Sequence, residues 1–173
     1  MKKIYLIIIP MAILLTGCEW IGGLFSKDIG TDLTVTIPVD ATSEKSAQEA
    51  TAVSFSASET LSLEDNRDLE DYLDNIKNID LKSLVVTVNG LGAAQVINTI
   101  SIEAEGVGVM ATYSNITAEA NSFTPDVDKK KLTAAADKLL TDKKLTFTIN
   151  GTISGPLAFF VRLTFDAVIK AGL

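Results

Sequence analysis

Histidine is missing from all 173 residues, and cysteine occurs once, at Cys18. Without histidine the chain lacks the commonest general base, the commonest metal ligand and the usual partner of a serine or cysteine nucleophile. A zinc site would have to be built from carboxylates alone, which is atypical of that metal. One cysteine leaves no intrachain disulfide, so the fold must rest on its hydrophobic core, which a chain of this size can supply. Basic residues are in deficit, with 15 Lys and Arg against 22 Asp and Glu and a net charge of -7. Such a surface repels phosphate backbones and anionic headgroups, so nucleic-acid binding is disfavoured. These absences predict a non-catalytic protein without a cofactor or a metal.

What is present begins at the amino terminus. Lys2 and Lys3 precede an apolar run over residues 4–15, and small residues then lead to Cys18. A basic start, an apolar middle and a small-residue junction form the pattern of a secretory signal. The run is 12 residues long. Spanning a bilayer takes roughly 20, so a retained transmembrane anchor is not expected.

The residues Leu15-Thr16-Gly17-Cys18 resemble the lipobox of bacterial lipoproteins. That resemblance implies diacylglyceryl transfer to the Cys18 thiol, cleavage between Gly17 and Cys18, and acylation of the new amino terminus with a chain of the palmitate class. The alternative is an ordinary secreted protein with a free, reactive thiol at the junction. Two or three acyl chains hold a protein at a membrane where one does not. Glu19 follows Cys18, whereas aspartate there resembles an inner-membrane retention signal, so the outer membrane is favoured if the cell has two. Losing Lys2 and Lys3 with the leader takes the basic count from 15 to 13 against 22 acidic residues, a net charge near -9. Membrane association is therefore expected from the lipid and not from a basic patch.

The expected organisation is a signal peptide over 1–17, a lipidated tether over 18–30 and a single domain over 31–173. The tether segment 19–30 spans at most roughly 40 Å, which keeps the domain close to its membrane. Within it, Trp20 and Phe25 either rest at the membrane interface or pack on the domain.

Strand patterns dominate the rest of the chain. Leu33, Val35, Ile37 and Val39 alternate with polar residues and Pro38, so this strand either lies at a sheet edge or ends at Pro38. Residues 40–51 read as a polar loop, and Val53, Phe55 and Ala57 as a second strand. Leu69, Leu73, Ile76 and Ile79 recur at helical spacing behind the cap candidates Asp65 and Asn66. Leu84, Val86 and Val88 mark a strand ending in the turn signal Asn89-Gly90. Val96, Ile100, Ile102 and Ala104 share a face, and Val107, Val109, Ala111 and Tyr113 come after them. A weaker strand is read over 116–123.

Thr124-Pro125 fits the start of a second helix with Leu132, Ala135, Ala136, Leu139 and Leu140 on its apolar face. Leu145, Phe147 and Ile149 run into Asn150-Gly151, read as a turn. The last strand alternates from Phe159 through Val161, Leu163, Phe165 and Ala167 to Ile169. The predicted fold is mainly β, an antiparallel β-sandwich with two short helices. The run from Leu84 to Gly90 resembles that from Leu145 to Gly151, 61 residues later. The match suggests two copies of a strand-strand-helix-strand-strand unit, although any helix followed by a hairpin gives the same match.

Three groups are candidate sites. Gly106-Val107-Gly108-Val109-Met110-Ala111 matches a dinucleotide fingerprint in form. A strand pattern continues where a helix is needed, so the glycines are assigned to a turn or bulge. Glu64, Asp65, Asp68, Glu70, Asp71, Asp74 and Asp80 crowd one segment and read as a solvated face, not a calcium loop. Arg162 and Asp166 share a face four residues apart and read as a surface ion pair. For stacking on a sugar, Tyr72, Tyr113 and Phe160 are the candidates. The expected function is a membrane-anchored binding or scaffolding protein of the cell envelope, with an envelope protein or an apolar ligand as partner. The alternative is a carrier or sensor of a lipid, its cavity lined by the apolar faces of 96–104 and 157–171.

Overall fold

A computed structural model of the chain describes residues 26–42 and 52–172. The leader, Gly17, Cys18, Trp20 and Phe25 lie outside the described residues. Strand β1 spans Ser26–Asp40 and pairs along its whole length with β8, Ala158–Gly172. It thus takes in 26–30, which alternation alone assigns to the tether. Leu33, Val35, Ile37 and Val39 are buried between exposed neighbours, as the period of two requires.

Four further long strands are β2 (Val53–Ser62), β3 (Ile76–Asn89), β4 (Val96–Ala104) and β5 (Gly108–Thr117). A short β6 (Ser122–Phe123), a helix α1 (Lys129–Asp142) and β7 (Lys144–Ile153) precede β8. All pairing is antiparallel, in two four-stranded sheets ordered β1-β8-β3-β6 and β2-β7-β4-β5. Their inner faces meet in one core. Phe55 of β2 stands edge-on to Phe159 of β8 at 5.2 Å between ring centroids, and Phe147 of β7 lies 5.3 Å from Phe165 of β8. The arrangement is sandwich-like, with the two-sheet strand order of an eight-stranded jelly roll.

Pro38 confirms the edge position of β1. The side-chain amide of Asn66 donates to the Asp32 carbonyl at 3.2 Å, so that carbonyl points away from β8. Pro38 is an even number of residues further on, and its missing N–H would point the same way, where no strand among the described residues pairs with β1.

The first helix is not formed. In its place are three 3-10 turns, Leu63–Asp65, Arg67–Leu69 and Leu73–Asn75. Ser62 Oγ accepts from the Glu64 N–H at 3.2 Å and Asn66 Oδ1 from that of Asp68 at 2.9 Å, restarting the chain every few residues. Ile76 and Ile79 belong to β3. Bulges at Lys77 and Lys82 each insert one residue into that strand. Ile76, Ile79, Leu81 and Leu84 therefore all face inward and are all buried. The three-residue step from Ile76 to Ile79 imitates a helix.

Similar shifts occur elsewhere. The irregularity between Ile97 and Thr99 buries Ile97, where the pattern alone selects Val96. The expected strand over 116–123 shortens to β6, which pairs with Val86 and Thr87 only. Helix α1 packs on β3 and β7, burying Leu132, Ala135, Ala136 and Leu139 as predicted. It starts at Lys129 and not after Thr124, because Asp128 is the residue whose carboxylate accepts from the Lys130 N–H at 2.8 Å. Asp128→Ala is expected to cost about 1 kcal/mol, measured as a lower urea midpoint at unchanged slope.

Asn89-Gly90 ends β3 as expected, with Gly90 at φ +96°. Asn150-Gly151 does not turn the chain. It lies inside β7, and the reversal comes after Ile153.

Candidate functional site

The residues singled out in the sequence scatter over several surfaces. Gly106 and Gly108, at φ 73° and 91°, flank the reversal between β4 and β5, and the chain continues as a strand. No phosphate-holding helix follows them. Arg162 and Asp166 share the outer face of β8 but do not pair. The ion pairs among the described residues are Lys82 with Asp80 and Lys138 with Asp142 at 3.8 Å. Among the three aromatics, Tyr113 of β5 stacks on Phe123 of β6 at 3.9 Å and bridges one sheet edge to the other. Tyr72 lies beneath Lys27, whose Nζ also donates to its hydroxyl at 3.2 Å. Phe160 is 51% exposed on the outer face of the other sheet, between Pro38 and Asn89. These rings form no common platform.

An open, polar trough of about 660 Å³ runs along the β1 edge. Asp32 of β1 and Asp166 of β8 are direct cross-strand partners there. The 3-10 turns add Asp65 and Asp68, with Arg67 beside them. Asn66 ties this segment to the strand. It donates to Thr31 Oγ1 as well as to the Asp32 carbonyl, and the Thr31 hydroxyl donates to Asp68 at 3.0 Å. Of the seven acids noted in the sequence, two thus join two carboxylates from distant strands. No group of three or more acids among the described residues is arranged to hold a metal ion.

At the far end of β1 the Thr42 hydroxyl, then its backbone N–H at 2.9 Å, hold the Asp40 carboxyl below the usual range. No polar or charged residue is buried among the described residues. The apolar faces over 96–104 and 157–171, which a lipid cavity would need, meet in the common core.

A surface missed in the sequence is the outer face of the β2-β7-β4-β5 sheet. Ser54, Thr152, Thr99 and Ser114 form one continuous cross-strand row. Ser56, Asn150, Ser101 and Thr112 form the next; Ser58, Thr148, Glu103 and Val109 form a third, and Thr60 with Thr146 extends the face on two strands. Hydroxyls bond across the strands between Ser58 and Thr148 at 2.8 Å, Thr60 and Thr146 at 3.1 Å, and Thr99 and Thr152 at 3.2 Å. The alternation of serine with other residues over 54–62 was its visible sign.

No family model matches this chain, and no curated protein matches it. Among solved structures, that of Desmodium yellow mottle tymovirus is similar at a TM-score of 0.36 and 10% identity, covering 85% of this chain and 90% of that one. A structure of turnip yellow mosaic virus is similar at 0.34 and 8% identity, covering 83% and 96%.

Proposed function

We propose that the protein is a non-catalytic lipoprotein of the cell envelope, anchored through Cys18, whose strand-rich domain binds or scaffolds a partner beside the membrane. The observation that carries this reading is the leader ending in Leu15-Thr16-Gly17-Cys18. The start of β1 at Ser26 adds to it. Only residues 19–25 separate the anchor from the first strand, a reach of at most about 25 Å. A binding role is supported by where the polar groups lie. Every described carboxylate is at the surface, and the sequence has no histidine to serve as a general base. The packing of both long apolar faces into one core weighs for this role over a lipid carrier. Glu19 favours the outer membrane where there are two.

Cys18→Ser is expected to move the protein from the membrane to the soluble fraction and to abolish labelling by palmitate. Retention of the wild-type distribution by this variant would sink the anchor.

The two-copy organisation belongs to the same proposal. Advancing each strand number by four, cyclically, turns the order β1-β8-β3-β6 into β5-β4-β7-β2, the second sheet read backwards. In the first copy the 3-10 turns stand where the second has α1.

A further inference from the structure

We infer that the outer face of the β2-β7-β4-β5 sheet is a docking surface for a neutral polysaccharide. In a chain with net charge -7, the four paired strands of this face present hydroxyls and the Asn150 amide across their middle. Glu103 is the charged residue among its complete rows, and Lys144 stands at the end of β7. The opposite sheet differs, with Asp28, Asp32, Arg162, Asp166 and Lys170 all outward on β1 and β8.

Charge therefore selects the partner. A phosphate or uronate chain finds no cation in these rows, and a basic polymer is better served by the acidic surface elsewhere. A protein interface of ordinary kind is anchored by aromatic or arginine side chains in an apolar centre. Here the exposed apolar residue is Val109, 43% exposed at one corner. A neutral, hydroxyl-bearing polymer matches the face in both charge and hydrogen-bonding character.

The chemistry is reciprocal, because serine, threonine and sugar hydroxyls each donate one hydrogen bond and accept two. The cross-strand bonds of Thr99 to Thr152 and Ser58 to Thr148 use part of that capacity and fix the rotors. At those residues less entropy is lost on binding. Four strands about 4.8 Å apart offer a hydroxyl row roughly 14 Å wide, repeated along the strands every second residue. Without an aromatic ring to stack on, each sugar is held weakly. Useful affinity comes from many sugars of one chain engaging successive rows. The inference does not depend on acylation of Cys18.

The test is native affinity electrophoresis of the full chain in mild detergent. The gels contain hydroxyethylcellulose, laminarin or galactomannan as neutral polysaccharides, with alginate as the anionic comparison. The expected result is retardation by at least one neutral polymer and none by alginate. Ser101→Lys and Thr112→Glu should each weaken it roughly tenfold, the loss of about 1.4 kcal/mol. Thr112 lies on an edge strand, where a longer side chain reaches solvent without disturbing the core. Thr164→Lys, on the other sheet, should leave retardation unchanged, and so should Cys18→Ser. Failure of all three neutral polymers to retard the protein overturns the assignment. So does equal loss with Thr164→Lys, or a dimer in sedimentation that Ser101→Lys converts to a monomer.

Discussion

Gly151→Ala is expected to destabilise the protein by about 3 kcal/mol, the upper end of what overpacking costs. The cause is space and not backbone conformation. A Cβ at this position would overlap the Thr99 carbonyl oxygen and meet Phe55 Cζ at 2.5 Å. The first is backbone, brought close by the irregularity in β4 between Ile97 and Thr99. The second belongs to a ring that packs across β7 to reach Phe159 of the opposite sheet. A side chain here therefore forces apart a strand pair or displaces a ring of the core. Phe55→Leu should rescue the variant only in part, since the carbonyl contact remains. Gly155→Ala is the control. A Cβ there meets nothing within 4 Å, and its change should stay within about 0.5 kcal/mol. Urea unfolding monitored by circular dichroism gives both values. Equal midpoints for the two alanine variants would remove the packing explanation.

Phe165→Ala and Phe147→Ala should each cost about 3–5 kcal/mol, the range for removing a fully buried aromatic ring. Both residues are completely buried. Their rings come from different sheets and meet at 5.3 Å with an interplanar angle of 31°. Each truncation removes contacts on both sides of the core and leaves a void that the sheet backbones cannot close. Because the two share a contact, the double variant should lose less than the sum of the singles, with a coupling of about 1 kcal/mol. Strict additivity would mean that the rings do not support one another. Against a total stability of about 5–15 kcal/mol for a domain, either variant alone approaches the point of unfolding.

The strands that were legible are those whose inward residues alternate without interruption. In β1 and β8 the pattern from Leu33 to Val39 and from Phe159 to Ile169 is the pattern of burial. Where a bulge intervenes, local reading fails for a physical reason. An inserted residue changes the parity of the strand, and the three-residue step from Ile76 to Ile79 across the bulge at Lys77 then continues the helical spacing of Leu69 and Leu73. Two of the three restarts, at Ser62 and Asn66, were written in capping residues, but apolar spacing outweighed them. Asn150-Gly151 failed differently. Its glycine accommodates Phe55, 96 positions earlier, and no local rule contains that contact.

The candidate surfaces divide in the same way. The run Leu15-Thr16-Gly17-Cys18 that resembles a lipobox is linear, so the proposed anchor rests on the sequence alone, and the described structure adds only where β1 starts. The acidic trough needed Asp166 of β8 beside Asp32 of β1, and the hydroxyl face needed Ser58 beside Thr148, 90 residues apart.

By itself, then, the sequence determined the residue chemistry. It has no histidine, one cysteine, an acidic balance, and enough alternating apolar residues to make a mainly β core. Only the tertiary structure decided which strands are neighbours, where the bulges fall, and therefore which polar side chains share a face. Alternation is a local property of a strand, set by successive side chains pointing to opposite sides. Partner choice is not local, because any strand with a suitable apolar face can complete a ladder until loop closure and packing of the whole core select one.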